Sequence, residues 1–267
     1  MIRLLTLTAG LAGGAFISAA AAGEWYDLER WTSAGAAVAS QSEGPWRVNV
    51  GAGASAAPVY LGAEEYDVKP LPLLDVDYRG LLFASTQRGF GYNFFRKRTF
   101  RAGPRITIDW GRDSADSDRL RGLPDVGVGV EAGLFAEAYT GSWRFQADVK
   151  QEIADGHGGL LASADVAYGA RVSEALSLFL GASVTYMGEE YAAAYFGTPA
   201  GSPLGGFEAS SGLRDVTPYA QFVYHFTPTF YAALDGRFYI LMSEAADSPI
   251  VESDMPFVAS FMVGYRF

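Results

Sequence analysis

The sequence of 267 residues has no cysteine and only two histidines. Without thiols there is no disulfide framework and no thiolate metal or redox motif, so stability rests on burial and backbone hydrogen bonding. Beyond the N-terminus no run approaches the ~20 apolar residues that a membrane-spanning helix needs. That excludes a helical inner-membrane protein. Concentrated basic charge is also missing: 20 Lys and Arg stand against 30 Asp and Glu, a formal charge of −10, which argues against nucleic acid as a partner. There is no P-loop, no dinucleotide-binding glycine pattern after a strand, and no zinc-ligand spacing. No cofactor and no metal is assigned from the sequence.

What is present is apolar and glycine-rich. The chain is 49% hydrophobic and 14% aromatic with 32 glycines, values that suit one domain of ordinary polarity. Residues 1–22 differ in character. Arg3 gives a positive start, residues 4–17 an apolar stretch, and Ala20-Ala21-Ala22 a small-residue cleavage site, the pattern of a secretory signal peptide. Residues 23–45 lack a clear period. Trp25, Tyr26, Leu28 and Trp31 there suit a surface-lying amphipathic segment, a plug in a lumen, a partner-binding tail or plain disorder.

From residue 46 to 267 the dominant period is two. Leu176, Leu178, Leu180, Val184 and Tyr186 share one face, with Ser177, Gly181, Ser183 and Thr185 on the other. Trp143, Phe145, Ala147 and Val149 alternate with Arg144, Gln146, Asp148 and Lys150. Val126, Val128, Val130 and Leu134 oppose Gly127, Gly129, Glu131 and Gly133, and Phe230, Leu234 and Phe238 oppose Tyr231, Asp235 and Arg237. Helix signals are nearly absent. Alternation predicts about twelve strands, at 46–56, 66–78, 80–86, 90–95, 100–110, 124–138, 142–152, 158–172, 175–187, 214–226, 229–242 and 256–267.

A soluble sandwich and a closed barrel both satisfy such a pattern, and the connections decide between them. Short links (79–80, 96–99, 139–141, 173–174, 227–228) alternate with mostly longer ones, the exception being 87–89. Short turns at one end and long loops at the other describe an all-β, closed antiparallel transmembrane barrel, with the turns in the periplasm and the loops outside. In lipid every backbone amide needs a partner, so the sheet must close. Glu131, Arg144, Asp148, Lys150, Asp165, Asp235, Arg237 and Arg266 would then point inward as a salt-bridged, partly filled interior. The final strand puts Phe261, Val263, Tyr265 and Phe267 on the lipid face. That C-terminal pattern resembles the sorting signal read by the barrel assembly machinery, and the expected surroundings are outer-membrane lipid of a Gram-negative cell.

The histidines give no catalytic centre. His225, in His225-Phe226-Thr227, ends a predicted strand beside a short turn, the wrong side for an enzyme acting on the outer leaflet, and it lacks a credible nucleophile partner. His157 lies in Asp155-Gly156-His157-Gly158-Gly159, where the glycines suffice to explain a tight reversal. The loop carboxylates Glu64, Glu65, Glu189 and Glu190, with Asp113, Asp116 and Asp118, suit binding of divalent cations that bridge lipopolysaccharide or of a cationic ligand, and solvated loop charge is the commoner explanation.

Several segments in order resemble the MltA-interacting protein (MipA/OmpV) family. They are Pro58-Val59-Tyr60-Leu61-Gly62 with Tyr66 and Pro70-Leu71-Pro72; Gly111-Arg112 with Leu120-Arg121-Gly122-Leu123-Pro124-Asp125; Gly156-His157-Gly158-Gly159; Tyr191 with Tyr195-Phe196-Gly197 and Ser211-Gly212-Leu213; and Asp247-Ser248-Pro249-Ile250-Val251 before Tyr265-Arg266-Phe267. The resemblance implies a non-enzymatic outer-membrane scaffold that links a murein lytic transglycosylase to a bifunctional penicillin-binding protein. Other members are described as adhesins, antigens or porin-like proteins, which keeps transport and outward-facing binding as the alternative. No catalytic residue carries over. In the expected topology Tyr60, Arg112, His157, Tyr191 and Asp247 fall in the outer loops or mouth, either as a structural lid or as a binding site. Periplasmic partner contact falls to Trp25, Leu28 and Trp31 and to the basic turn Arg96, Lys97 and Arg98.

Overall fold

The structure is a computed structural model that describes residues 44–97 and 99–267. The expected signal peptide, Trp25, Leu28, Trp31 and Arg98 lie outside the described residues. The alternating segments form fourteen strand pieces: β1 (Trp46–Pro58), β2 (Tyr66–Tyr78), β3 (Leu82–Ser85), β4 (Gly89–Tyr92), β5 (Phe95–Lys97), β6 (Phe100–Asp109), β7 (Gly129–Thr140), β8 (Trp143–Ala154), β9 (Leu160–Arg171), β10 (Leu176–Met187), β11 (Gly212–His225), β12 (Phe230–Phe238), β13 (Ile240–Leu241) and β14 (Phe257–Arg266). β4 and β5 both pair with β6, and β12 and β13 both pair with β11, so the fourteen pieces make twelve antiparallel strands. β14 pairs with β12 on one side and β1 on the other, which closes the sheet. Closure removes the unpaired edge that lipid would not tolerate.

The turns follow local chemistry. Arg79 and Gly80 both take positive φ (56° and 62°) between β2 and β3, the backbone of a two-residue hairpin turn whose twist matches the strands. The prolines of β2 sit where they cost no ladder bond. Leu74 faces Thr86 with its backbone N–H and C=O, so Pro70 and Pro72, at the same parity, turn their missing N–H to that side. There β3 is too short to reach them, since it pairs only with Asp75 to Tyr78. Between Gly91↔Arg105 and Phe95↔Ala102 the register slips by one residue, a bulge next to Pro104 that splits β4 from β5.

Two expectations need correction. The strand expected over 124–138 begins at Gly129, and Val126, expected on the lipid face, is buried because it bridges Arg112 and leans into the mouth. The second concerns helices. The loop 188–211 contains α1 (Glu189–Phe196), a run of helix-favouring Glu and Ala around three aromatics, and the loop 242–256 contains α2 (Ser243–Asp247).

The outer face is apolar over the height of the sheet. Leu134, Leu180, Leu234 and Phe261 are each at least half exposed, a continuous apolar surface that only lipid covers favourably. Rings gather at the short-turn rim: Trp46 on Tyr78, Trp143 on Tyr168, Phe226 on Phe230 and Tyr265 on Phe267, with centroids 4.5–5.2 Å apart. This is an aromatic girdle. The inner faces carry charge as expected. Arg144 meets Asp165 at 2.6 Å, Lys150 meets Glu131 at 2.6 Å, Arg237 meets Asp235 at 2.6 Å, and Arg105 pairs with Asp148. Tyr219 donates to Asp165 at 2.9 Å and its ring lies 4.7 Å from the Arg237 guanidinium. Arg144, Arg237, Tyr231, Phe179 and Met262 are fully buried in this interior. Gly264 leaves room for the Tyr231 ring, whose tip lies 2.3 Å from where a Cβ would stand.

Candidate functional site

At the long-loop end the loops turn inward and fill the mouth. α1 buries Tyr191, Ala192, Tyr195 and Phe196 against Ala57, Leu61, Leu161, Met187, Leu241 and Val258 from the surrounding strands and loops. A second apolar cluster joins three loops through Val59, Tyr60, Ala63, Leu120, Leu123 and Ile250.

Polar contacts fix this assembly. The Arg112 guanidinium donates to the carbonyls of Tyr195 (2.7 Å), Ala194 and Pro124 (3.4 Å each). It thereby satisfies the last carbonyls of α1, which have no partner within the helix. Burial pulls Arg112 below its ordinary pKa. Ser248 Oγ donates to the Phe196 carbonyl at 2.6 Å, and Arg214 Nη1 to the Tyr191 hydroxyl at 2.9 Å. The Tyr60 hydroxyl donates to the Ile250 carbonyl at 3.0 Å and to Glu252 at 3.2 Å. Burial and then the Glu252 charge raise its pKa. The Gly-rich turn 155–159 is organised by Glu152, whose carboxylate accepts from the amides of Ala154, Gly156 and Gly158.

Beneath α1 three ionisable side chains converge. Asp109 ends β6, Glu131 lies on β7 and His157 comes from the turn between β8 and β9. His157 Nε2 stands 3.7 Å from Asp109 Oδ2 and 3.8 Å from Glu131 Oε1, with all three residues buried. The His157 ring packs edge-on against Tyr191 at 4.7 Å, and the Tyr195 hydroxyl donates to Asp109. Among the described residues this is the group whose atoms are spaced to hold a metal ion.

A family profile for MltA-interacting protein MipA matches residues 50–267. The chain belongs to the MipA family. No curated protein matches the sequence. Among solved structures, the NanC porin is 7% identical over 82% of this chain and 98% of its own, with a TM-score of 0.45. The Salmonella typhi OmpF complex with daunomycin is 9% identical over 83% and 97%, at 0.39. The N-terminal barrel of Pseudomonas aeruginosa OprF is 13% identical over 52% and 88%, at 0.29. These likenesses are too distant to carry an argument, and the barrel stands on its own strand pairing.

In this MipA-family barrel the five expected mouth residues part company. Arg112, His157 and Tyr191 come together around α1, and Tyr60 joins the neighbouring cluster. Asp247 ends α2, exposed and apart from them. At the opposite rim Arg96 and Lys97 are exposed, and Arg96 donates to the Arg79 carbonyl. His225 ends β11 on the lumen side, 5.9 Å from the Tyr231 ring. Asp109 and the partnership of Glu131 with His157 escaped the sequence reading. Both carboxylates have inward parity on their strands, and only the β6–β7 register, Thr107↔Glu131 and Asp109↔Gly129, sets them side by side.

Proposed function

We propose that this MipA-family barrel is a non-enzymatic outer-membrane scaffold for peptidoglycan-remodelling enzymes, with its short turns in the periplasm. The observation that carries this reading is the occupied interior: paired charges fill the lumen and the looped-in α1 fills the mouth. Such a barrel offers surfaces to partners better than it offers a path to solutes. The short-turn rim supplies an available surface, with Arg79, Arg96, Lys97 and Arg171 exposed on it. The family's name supports a murein lytic transglycosylase as one partner, and a penicillin-binding protein follows from the resemblance. Export by a cleaved signal over residues 1–22, followed by a periplasmic segment 23–45, fits this placement.

Photo-crosslinking in intact cells tests it, with a reactive residue placed in turn at Leu28, Lys97 and Asp247. Capture of murein enzymes from Leu28 or Lys97 and not from Asp247 is the expected outcome. Capture only from Asp247, or none from the short-turn side, would overturn the scaffold and favour an outward-facing adhesin or porin-like barrel.

A further inference from the structure

Among the described residues the cluster under α1 leaves buried polar atoms without hydrogen bonds. Among the described residues Glu131 Oε1 and His157 Nε2 have no hydrogen-bond partner, and the two residues are 2% and 6% exposed, with Asp109 at 5%. Distances of 3.7 and 3.8 Å between Nε2 and the two carboxylates are too long for direct hydrogen bonds. The other atoms are engaged. Glu131 Oε2 accepts from Lys150 Nζ at 2.6 Å and Thr107 Oγ1 at 2.7 Å, and Asp109 Oδ1 accepts from the Gly111 amide at 2.7 Å and from Tyr195. Among the described residues two buried carboxylates thus face the Lys150 ammonium and the His157 imidazole. A bound cation would balance negative charge there, since an isolated buried charge is costly.

We propose that Asp109, Glu131 and His157 form a site for a first-row divalent cation of the zinc type, one that ties the 155–159 turn to β6 and β7 beneath α1. The three ligand atoms lie within 4.8 Å of one another. Ligands about 2 Å from a shared ion stand roughly 3 to 4 Å apart, so a small closure of side chains suffices. One imidazole nitrogen with two carboxylate oxygens suits such an ion, and Lys150, Thr107 and Tyr195 orient the carboxylates from behind.

The geometry also says what binding must change. His157 Nδ1 accepts the Gly159 amide at 2.9 Å, which puts the neutral ring's proton on Nε2. An ion at Nε2 moves that proton to Nδ1, and the Gly159 N–H must turn away. Gly158 precedes it at φ 66°, its carbonyl accepts from Gln151 at 2.7 Å, and Gly159 packs against the Tyr191 backbone, so the turn has to shift as a unit. Metal uptake is therefore coupled to a rearrangement of the turn that rests on Tyr191.

The test uses the full chain refolded in detergent and stripped with chelator. Cobalt(II) is titrated by visible absorption and zinc(II) by calorimetry. The expected result is one ion per chain, at least tenfold weaker in His157→Ala and in Asp109→Asn, and unchanged in His225→Ala. Heat-modifiable gel migration confirms that each variant is folded. Failure of the folded wild type to bind either ion overturns the proposal. Binding that His157→Ala and Asp109→Asn leave intact overturns it equally.

Discussion

The lumen and the long-loop mouth are both filled by the protein's own side chains, but the fillings differ in origin. The lumen is filled from strands. Arg105, Arg144, Asp148, Asp165, Asp235 and Arg237 alternate with lipid-facing apolar residues, and each cation finds its acid within its strand, on the next strand or, for Arg105 and Asp148, two strands away. The mouth is filled from loops. Its apolar weight comes from α1 and its neighbours, and its polar groups serve mainly to hold helix and turns in place. The lumen is thus a set of ion pairs on a rigid frame, and the mouth is a small apolar core added to that frame.

This difference predicts unequal responses to mutation. The largest effect is expected in the lumen. Arg144→Ala leaves Asp165 buried without its cation and weakens the setting of the Tyr219 hydroxyl. Breaking such a pair from one side costs about 3–5 kcal/mol. Urea unfolding in detergent should report this as a global loss of stability, with much of it regained in Arg144→Met/Asp165→Leu. If the double change is as damaging as the single, the ion-pair account of the lumen fails.

Gly264→Ala should come next. Its Cβ would collide with the Tyr231 ring, and overpacking of this kind costs roughly 1–3 kcal/mol. A lower temperature for the heat-induced gel shift is the expected reading. A crowding-free outcome would mean that the Tyr231 ring does not lie over Gly264 on the adjacent strand.

In the mouth, Arg112→Ala strips the hydrogen bonds from the last carbonyls of α1, at about 1–3 kcal/mol for a buried acceptor left unpaired. The response should be local. Limited proteolysis should cut within 188–211 faster than in the wild type, while the barrel keeps its heat-resistant form. Global unfolding would erase the distinction between mouth and lumen. The smallest effect belongs to Tyr60→Phe, which removes one hydroxyl bonded to Ile250 and Glu252 and should cost about 0.5–1.5 kcal/mol, seen as slightly faster cleavage in 242–256.

The two fillings also differ in how far the sequence discloses them. Period two in a strand assigns every side chain to a face, so Arg144, Asp165, Asp235 and Arg237 were legible as lumen residues, and Phe261, Val263 and Tyr265 as lipid-facing ones. Strand number was legible for the same reason, although Pro104 and the bulge beside it blurred residues 80–100. Loops have no period. That α1 would form within 188–211, that Arg112 would cap it, and that Val126 would abandon the lipid face depended on contacts between segments distant in the chain. The Asp109, Glu131 and His157 cluster shows both cases at once. Parity placed Glu131 inward, yet its meeting with His157 required the register of β6 on β7 and the fold of a five-residue turn.

This MipA-family barrel is closed by its own side chains along its length. Single-channel recording in a planar bilayer, with the refolded full chain at symmetric salt, tests it most directly. No stable conductance steps are expected over the voltages at which the barrel stays folded. Regular, voltage-stable steps from the wild-type protein would contradict it and would make a porin-like path the better description of the interior.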